Sequence, residues 1–245
     1  MLTAYDALFG RLADEAGADL VLVGESLGNV VLGFETTLSV TLDDMVRATG
    51  AVARGVSHAM VVADLPFGTY GGGFDTLLHA SVQLMRAGAQ AVKLEGAHTR
   101  AIADLVAVGI PVMAHLGFTP QSVNTLGGHR AQGREPAVAA RMNDDLAAVT
   151  EAGAFATVLE LVPAHVAEIL TKDNPDAITI GIGAGAGCHG QVQVMHDVLG
   201  LGPGYRHAKA YGDGLGFVRT AFADYVNDVR AGRFPTAENA PKDPR

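Results

Sequence analysis

The sequence predicts an α/β fold, a single-domain (β/α)8 TIM barrel, and three observations predict it. Short apolar runs alternate with amphipathic helical segments along the chain. Eight such strand–helix units fit a length of 245 residues, the usual size of this barrel. Glycine is 31 of those 245 residues, well above the ordinary ~7% and without a repeat, as many tight strand–helix turns require. A doubly wound open sheet is the alternative. It would use fewer strands or more residues, and no GxGxxG follows the first strand.

In chain order, Leu2–Ala4 opens as a strand and Ala7–Ala16 follows as a helix. Asp19–Gly24 is the second strand. Thr41 is the N-cap of a helix over Leu42–Arg54, with Asp43 and Asp44 favourably placed in its first turn. Strands at Ala59–Asp64, Ala89–Glu95, Pro111–His115, Ala154–Glu160 and Ala177–Gly183 alternate with helices at Phe74–Ala87, Thr99–Val108, Pro136–Ala152 and Ala164–Leu170. Each run is mostly apolar and bounded by Gly, Pro or a polar residue, which suits a strand buried on both faces. Gln191–Leu199 and Leu215–Ala231 are expected as the last helices, and a weak run at His207–Ala210 as the eighth strand. Ala-Gly pairs at 16–17, 87–88, 152–153 and 231–232 mark helix ends where glycine supplies the left-handed residue. The barrel domain is expected over 1–233, with 234–245 as an extended or disordered tail.

Composition narrows the function. The formal charge is −9 and there is no Lys/Arg run, which argues against nucleic acid and anionic membrane surfaces as partners. No apolar stretch of about 18 residues predicts a membrane span, and the charged N-terminus is unlike a signal peptide. Cys188 is the single cysteine, so no internal disulfide forms and a reducing compartment, the cytoplasm, is expected.

The polar residues fall at the strand ends. Glu25 follows the second strand, Asp64 ends the third, Lys93 and Glu95 lie on the fourth, His115 ends the fifth and Glu160 the sixth. In a barrel, all C-terminal strand ends open on one face, which holds the site. Carboxylates from neighbouring strands raise each other's pKa unless a cation intervenes. Oxygen ligands favour Mg²⁺ or Mn²⁺ over zinc, so Glu25, Asp64 and Glu95 are candidate metal ligands. Lys93, two residues from Glu95 on one strand face, either binds a substrate carboxylate or oxyanion or neutralises Glu95. His115 is a donor to substrate oxygen or a hydrogen-bonded barrel residue. Glu160 is a candidate general acid/base or a helix-start carboxylate. Gly181–Gly185 reads as a phosphate loop, a close approach to substrate, or tight packing. His129 and Arg130 lie in a glycine-flanked polar loop expected to act as a lid, and His58, His79 and His98 are expected to be solvated. Gly24–Gly28 matches GxSxG, but no Asp and His follow in hydrolase order.

Nine segments together resemble the ketopantoate hydroxymethyltransferase (3-methyl-2-oxobutanoate hydroxymethyltransferase) family of the phosphoenolpyruvate mutase/isocitrate lyase superfamily. They are LTAYD at Leu2–Asp6, LVGESLG at Leu22–Gly28, ADLPF at Ala63–Phe67, VKLEG at Val92–Gly96 and HLGFTPQS at His115–Ser122. GGHRAQGR at Gly127–Arg134, LELVP at Leu159–Pro163, IGIGAG at Ile180–Gly185 and GQVQVMHDVLG at Gly190–Gly200 complete them, in family order. The resemblance implies a Mg²⁺-dependent transfer of a hydroxymethyl group from 5,10-methylenetetrahydrofolate to 3-methyl-2-oxobutanoate through an enolate, giving ketopantoate for pantothenate biosynthesis. It implies metal ligands at Glu25, Asp64 and Glu95, keto-acid contacts at Ser26, Asp64, Lys93 and His115, and the acid/base at Glu160. It also implies a cytoplasmic homo-oligomer, commonly a decamer, with a small 2-keto acid and folate as its partners.

The sequence departs from the family at several points. Glu25 stands where the family usually has Asp, Cys188-His189 replaces a segment that carries Asp, and Glu238-Asn239-Ala240 lacks the usual His-Ser. Lost as a helix cap, that second Asp would cost about 1 kcal/mol; in the pocket, its loss would alter specificity. Met1 falls where the family's first strand is already under way, so a late start or a shortened form is expected. Two alternatives follow: a Mg²⁺-dependent lyase or aldolase acting on another 2-keto acid, and a non-catalytic keto-acid-binding barrel.

Overall fold

The structure, a computed structural model, describes residues 1–128 and 130–241. The chain forms two compact units, Met1–Met195 and His196–Arg245. Among the described residues, the strands are β1 (Leu2–Thr3), β2 (Leu20–Val23), β3 (Met60–Asp64), β4 (Ala91–Lys93), β5 (Val112–Gly117), β6 (Ala156–Glu160), β7 (Thr179–Ile182) and β8 (Gly190–Gln191). They form one parallel sheet in sequence order. A parallel bridge from Leu2 to Gln193 joins its first strand to the segment after its last. This is the (β/α)8 barrel expected from the alternation.

The helices of the first unit are α1 (Ala7–Glu15), α2 (Leu27–Val30), α3 (Leu42–Gly55), α4 (Phe74–Ala87), α5 (Thr99–Ala107), α6 (Val123–Leu126), α7 (Pro136–Glu151) and α8 (Ala164–Asp173). The one-turn α9 (Met195–Val198) and α10 (Gly214–Arg230) complete the set. Thr41 caps α3 with a full capping box: its hydroxyl accepts from the Asp44 N–H, while Asp44 accepts from the Thr41 N–H. The four Ala-Gly helix ends behave as expected, with Gly17, Gly88, Gly153 and Gly232 all at positive φ.

The barrel interior is layered. Leu22, Val62, Ala91, Met113, Ala156, Val158, Ile180 and Val192 form one buried aliphatic cluster. Strand side chains alternate with period 2, so the residue two positions further along points the same way. That residue is Asp64 after Val62, Lys93 after Ala91, His115 after Met113 and Glu160 after Val158. The aliphatic layer therefore sits directly beneath the polar ring.

The eighth strand is a correction. The weak run at 207–210 is irregular, and β8 lies instead at Gly190–Gln191, overlapping the start of the helix expected at Gln191–Leu199, of which only Met195–Val198 is helical. Its register against Ile180 and Gly181 is set by backbone hydrogen bonds rather than by apolar bulk. The alternation Gln191-Val192-Gln193-Val194 carried the signal, but two residues are too short a run to outweigh the apolar content of 192–199.

In the second unit, α10 runs for 17 residues with none of them buried. Its last turn meets Arg233, whose guanidinium pairs with Asp228 at 2.7 Å. His129, one of the two residues of the expected lid, and residues 242–245 at the end of the tail lie outside the described residues, whereas Arg130 is described and its carbonyl accepts from Gln132 Nε2 at 3.0 Å. No helix among the described residues is long and apolar enough to cross a membrane.

Candidate active site

The barrel brings the strand-end residues together. Asp64 and Lys93 are direct register partners on β3 and β4, and their side chains pair at 2.9 Å, both buried. The other Asp64 oxygen, Oδ2, accepts the Glu25 N–H at 3.0 Å, which ties the turn after β2 to the end of β3. Lys93 Nζ lies 3.4 Å from His115 Nδ1. His115 Nδ1 is 3.6 Å from Glu95 Oε1, and Nε2 is 3.3 Å from Glu160 Oε2. Glu25, Asp64, Lys93, Glu95 and His115 are each at most 5% exposed, while the Glu160 side chain, at 18%, reaches the opening.

β5 and β6 can stand this close because of Gly117, at φ 92°. A Cβ there would collide with the Glu160 carbonyl oxygen. Directly after Glu160, Leu161 is in the left-handed region at φ 49°, which costs a non-glycine residue about 1–2 kcal/mol. Two backbone bonds hold it there: Leu161 N–H to Ile182 O at 2.9 Å, and Gln132 N–H to Leu161 O at 2.9 Å. Strain of this kind collects at functional sites.

The charges explain the protonation states. Burial pushes the Glu25 pKa well up, and the Asp64 and Glu95 carboxylates push it further against the Gln121 amide. Burial also raises Glu95, opposed by His115 and Lys93. Burial alone would lower Lys93, but Asp64 and Glu95 outweigh it and hold it charged. His115 is depressed to about 4, by burial first and then by the Lys93 ammonium, so it is neutral at pH 7. With Lys93 facing Nδ1, the ring proton belongs on Nε2, the atom turned toward Glu160. That Nε2 is buried and makes no well-directed hydrogen bond, so it is available to a ligand oxygen.

Ser26, the residue after Glu25, is held by a hydroxyl chain. The Met195 N–H donates to Thr3 Oγ1 at 2.9 Å, Thr3 donates to the Tyr5 hydroxyl at 2.9 Å, and that hydroxyl lies 2.8 Å from Ser26 Oγ. Tyr5 and Thr3 were not singled out in the sequence, although both lie in the LTAYD segment.

Gln121 and Tyr70 were missed as well. Gln121 Nε2 donates to Glu25 Oε2 and, at 2.9 Å, to the Leu65 carbonyl. Its backbone N–H donates to Glu95 Oε2 at 2.9 Å, and Tyr70 donates its hydroxyl to Gln121 Oε1. The remaining Glu25 oxygen, Oε1, accepts the Phe67 N–H at 3.2 Å. A polar residue just past Pro120, on the turn that leaves β5, was the available signal.

Other expectations resolve by geometry. A Cβ at Gly185 would collide with Ala164 at the start of α8, so tight packing accounts for the glycine there. His189 accepts the Thr179 N–H at 3.2 Å, at the opening residue of β7 and away from the polar ring, and it caps no helix. His58, His79 and His98 are exposed, as expected.

The donor set suits a hard divalent cation in its chemistry: three buried carboxylates against one ammonium, with oxygen ligands only. Among the described residues, no group of three or more His, Cys, Asp or Glu already stands in metal-holding geometry. The fit is one of charge and ligand type.

The ketopantoate hydroxymethyltransferase family model matches residues 1–237. A 3-methyl-2-oxobutanoate hydroxymethyltransferase of Chloroflexus aurantiacus is 54% identical over 244 residues, 98% of this chain and 86% of that protein. One from Nitratidesulfovibrio vulgaris is 53% identical over 249 residues, covering 98% and 79%. Among solved structures, a phosphonopyruvate hydrolase complexed with oxalate and Mg²⁺ aligns with a TM-score of 0.62 at 16% identity, covering 99% of this chain and 86% of that one. A 2,3-dimethylmalate lyase of the PEP mutase/isocitrate lyase superfamily aligns at 0.61 and 17%, covering 98% and 85%. At these identities the structural likeness shows the fold alone. With the family model spanning nearly the whole chain and relatives above half identity, the chain belongs to the ketopantoate hydroxymethyltransferase family.

Proposed function

We propose that this chain transfers a hydroxymethyl group from 5,10-methylenetetrahydrofolate to 3-methyl-2-oxobutanoate, giving ketopantoate for pantothenate biosynthesis. The observation that carries the reading is the buried ring Asp64–Lys93–His115–Glu160, which places a charged ammonium, a neutral imidazole N–H and a half-buried carboxylate side by side. Those are the groups that form and hold an enolate of a 2-keto acid.

Ser26 and Lys93 bind the substrate carboxylate and keto oxygen, and His115 Nε2–H donates to oxygen without adding charge. Glu160 takes the C3 proton as general base. One water adds to the folate methylene, both of its C–N bonds break with the water protons going to the two nitrogens, and tetrahydrofolate leaves. The enolate carbon attacks the released formaldehyde carbon, and the alkoxide, which keeps the water oxygen, takes the proton held on Glu160. Glu25, Asp64 and Glu95 would hold a Mg²⁺ ion, which as a Lewis acid would polarise the keto group. The aliphatic layer beneath keeps water from the lower barrel, so the charges act in a low-dielectric setting.

Proton NMR of 3-methyl-2-oxobutanoate in D₂O tests this. Loss of the C3 proton signal with Mg²⁺, and ketopantoate on adding methylenetetrahydrofolate, are the expected results. Exchange without product would favour a lyase or aldolase acting through the same enolate. Neither event in folded protein would overturn the transferase reading.

We further infer a cytoplasmic homo-oligomer. The exposed Phe217, Phe222 and Tyr225 side chains of α10 support self-association. Light scattering on the purified chain tests it, and a monomer at micromolar concentration would refute it.

A further inference from the structure

We propose that Gln121 is a positioning residue that sets the divalent-cation affinity of this site by fixing Glu25 against Glu95; the inference rests on the metal reading above. Gln121 is buried, at 6% exposure, and its amide hydrogens and oxygen are all engaged. One residue therefore grips both carboxylates, Glu25 through its side chain and Glu95 through its backbone N–H.

The amide has one tenable orientation. Flipped, its oxygen would face the Glu25 carboxylate and the Leu65 carbonyl, acceptor against acceptor, and its NH₂ would face the hydroxyl that Tyr70 now donates. Tyr70 thus locks the amide, and the amide locks Glu25. The arrangement matters in this chain because Glu25 carries one methylene more than an aspartate and has an extra torsion to fix. A carboxylate offers about four lone-pair sites. Gln121 and Phe67 use one on each Glu25 oxygen, which leaves the others for a cation. Hydrogen bonds of this kind, one step behind a ligand, typically change metal affinity by about 10–100-fold.

Mn²⁺ binding to the full chain, followed by the EPR signal of free Mn²⁺, tests the proposal without turnover. Gln121→Met keeps the length and the backbone N–H but removes the amide. It is expected to weaken Mn²⁺ binding by about 10–100-fold. In the Glu25→Asp background, where the carboxylate is drawn back from the amide, the same change is expected to cost less than about threefold, because the two sites no longer couple. A purely structural role would give equal losses in both backgrounds, and that result would overturn the proposal.

Tyr70→Phe leaves Gln121 in place and removes only the lock. A smaller loss of the same sign is expected, and this variant carries the test if Gln121→Met lowers the melting temperature. If wild-type protein takes up no Mn²⁺, the metal reading and this proposal fall together. If it does, and both Gln121→Met and Tyr70→Phe bind as tightly or more so, this proposal alone falls.

Discussion

Asp14 and Glu25 are carboxylates serving opposite ends of the same barrel strands, and they are shifted in opposite directions. Asp14 accepts the backbone N–H groups of Ser57, His58 and Ala59, in the turn that enters β3, at 2.9, 3.0 and 2.6 Å. These bonds hold its pKa far below the usual carboxylate value. Glu25, beside the exit of β3, is pushed up by burial and by two more carboxylates. At the entry end the charge is matched by fixed backbone dipoles and serves the fold. At the exit end it is under-compensated, which stores the capacity to bind something positive. The strands show the same division: Val62, Ala91, Met113 and Val158 make the core, and Asp64, Lys93, His115 and Glu160 follow two residues later.

This division is open to attack from both sides. The largest effect is expected at the opening: Glu160→Gln should lower kcat by about 10²–10⁴-fold, as loss of a general base does. Its urea midpoint should hardly move, because the side chain is partly solvated. Lys93→Met should lower kcat/KM by about 10²–10³-fold. It should also destabilise the metal-free protein by about 3 kcal/mol, since Asp64 is left buried without its partner. If Lys93→Met instead stabilised the protein and left the rate intact, the ring would be a structural ion pair.

One layer down, Met113→Ala should cost about 2–5 kcal/mol in urea unfolding while kcat at low temperature stays near wild type. A large loss of kcat with little loss of stability would break the separation of the layers.

The smallest effect is the pH dependence at the entry end. The folded pKa of Asp14 lies below its unfolded value, so the unfolded chain binds more protons as the solution is acidified. The stabilisation from Asp14 is therefore complete above about pH 5 and is lost as pH falls through the unfolded value toward the folded pKa. Urea midpoints of wild type should drop between pH 5 and pH 3, and Asp14→Ala should show a shallower drop. Equal slopes would remove Asp14 from the account.

By itself, the sequence determined what is local. Strands β2 to β7 and the long helices follow from apolar period and capping chemistry within a few residues, as at Thr41 and Gly88. So does the convergence of Asp64, Lys93, His115 and Glu160, because in a barrel every strand end opens on one face. Only the tertiary structure decided what depends on distant partners. β8 exists because two residues complete the pairing from β7 toward β1, not because they favour a strand. Gln121 reads as one more polar residue in a turn until the fold sets its amide on Glu25, 96 residues away, and on Leu65, 56 away. A period records which face a side chain takes, but a hydrogen bond across the barrel depends on three-dimensional closure, which no local pattern encodes.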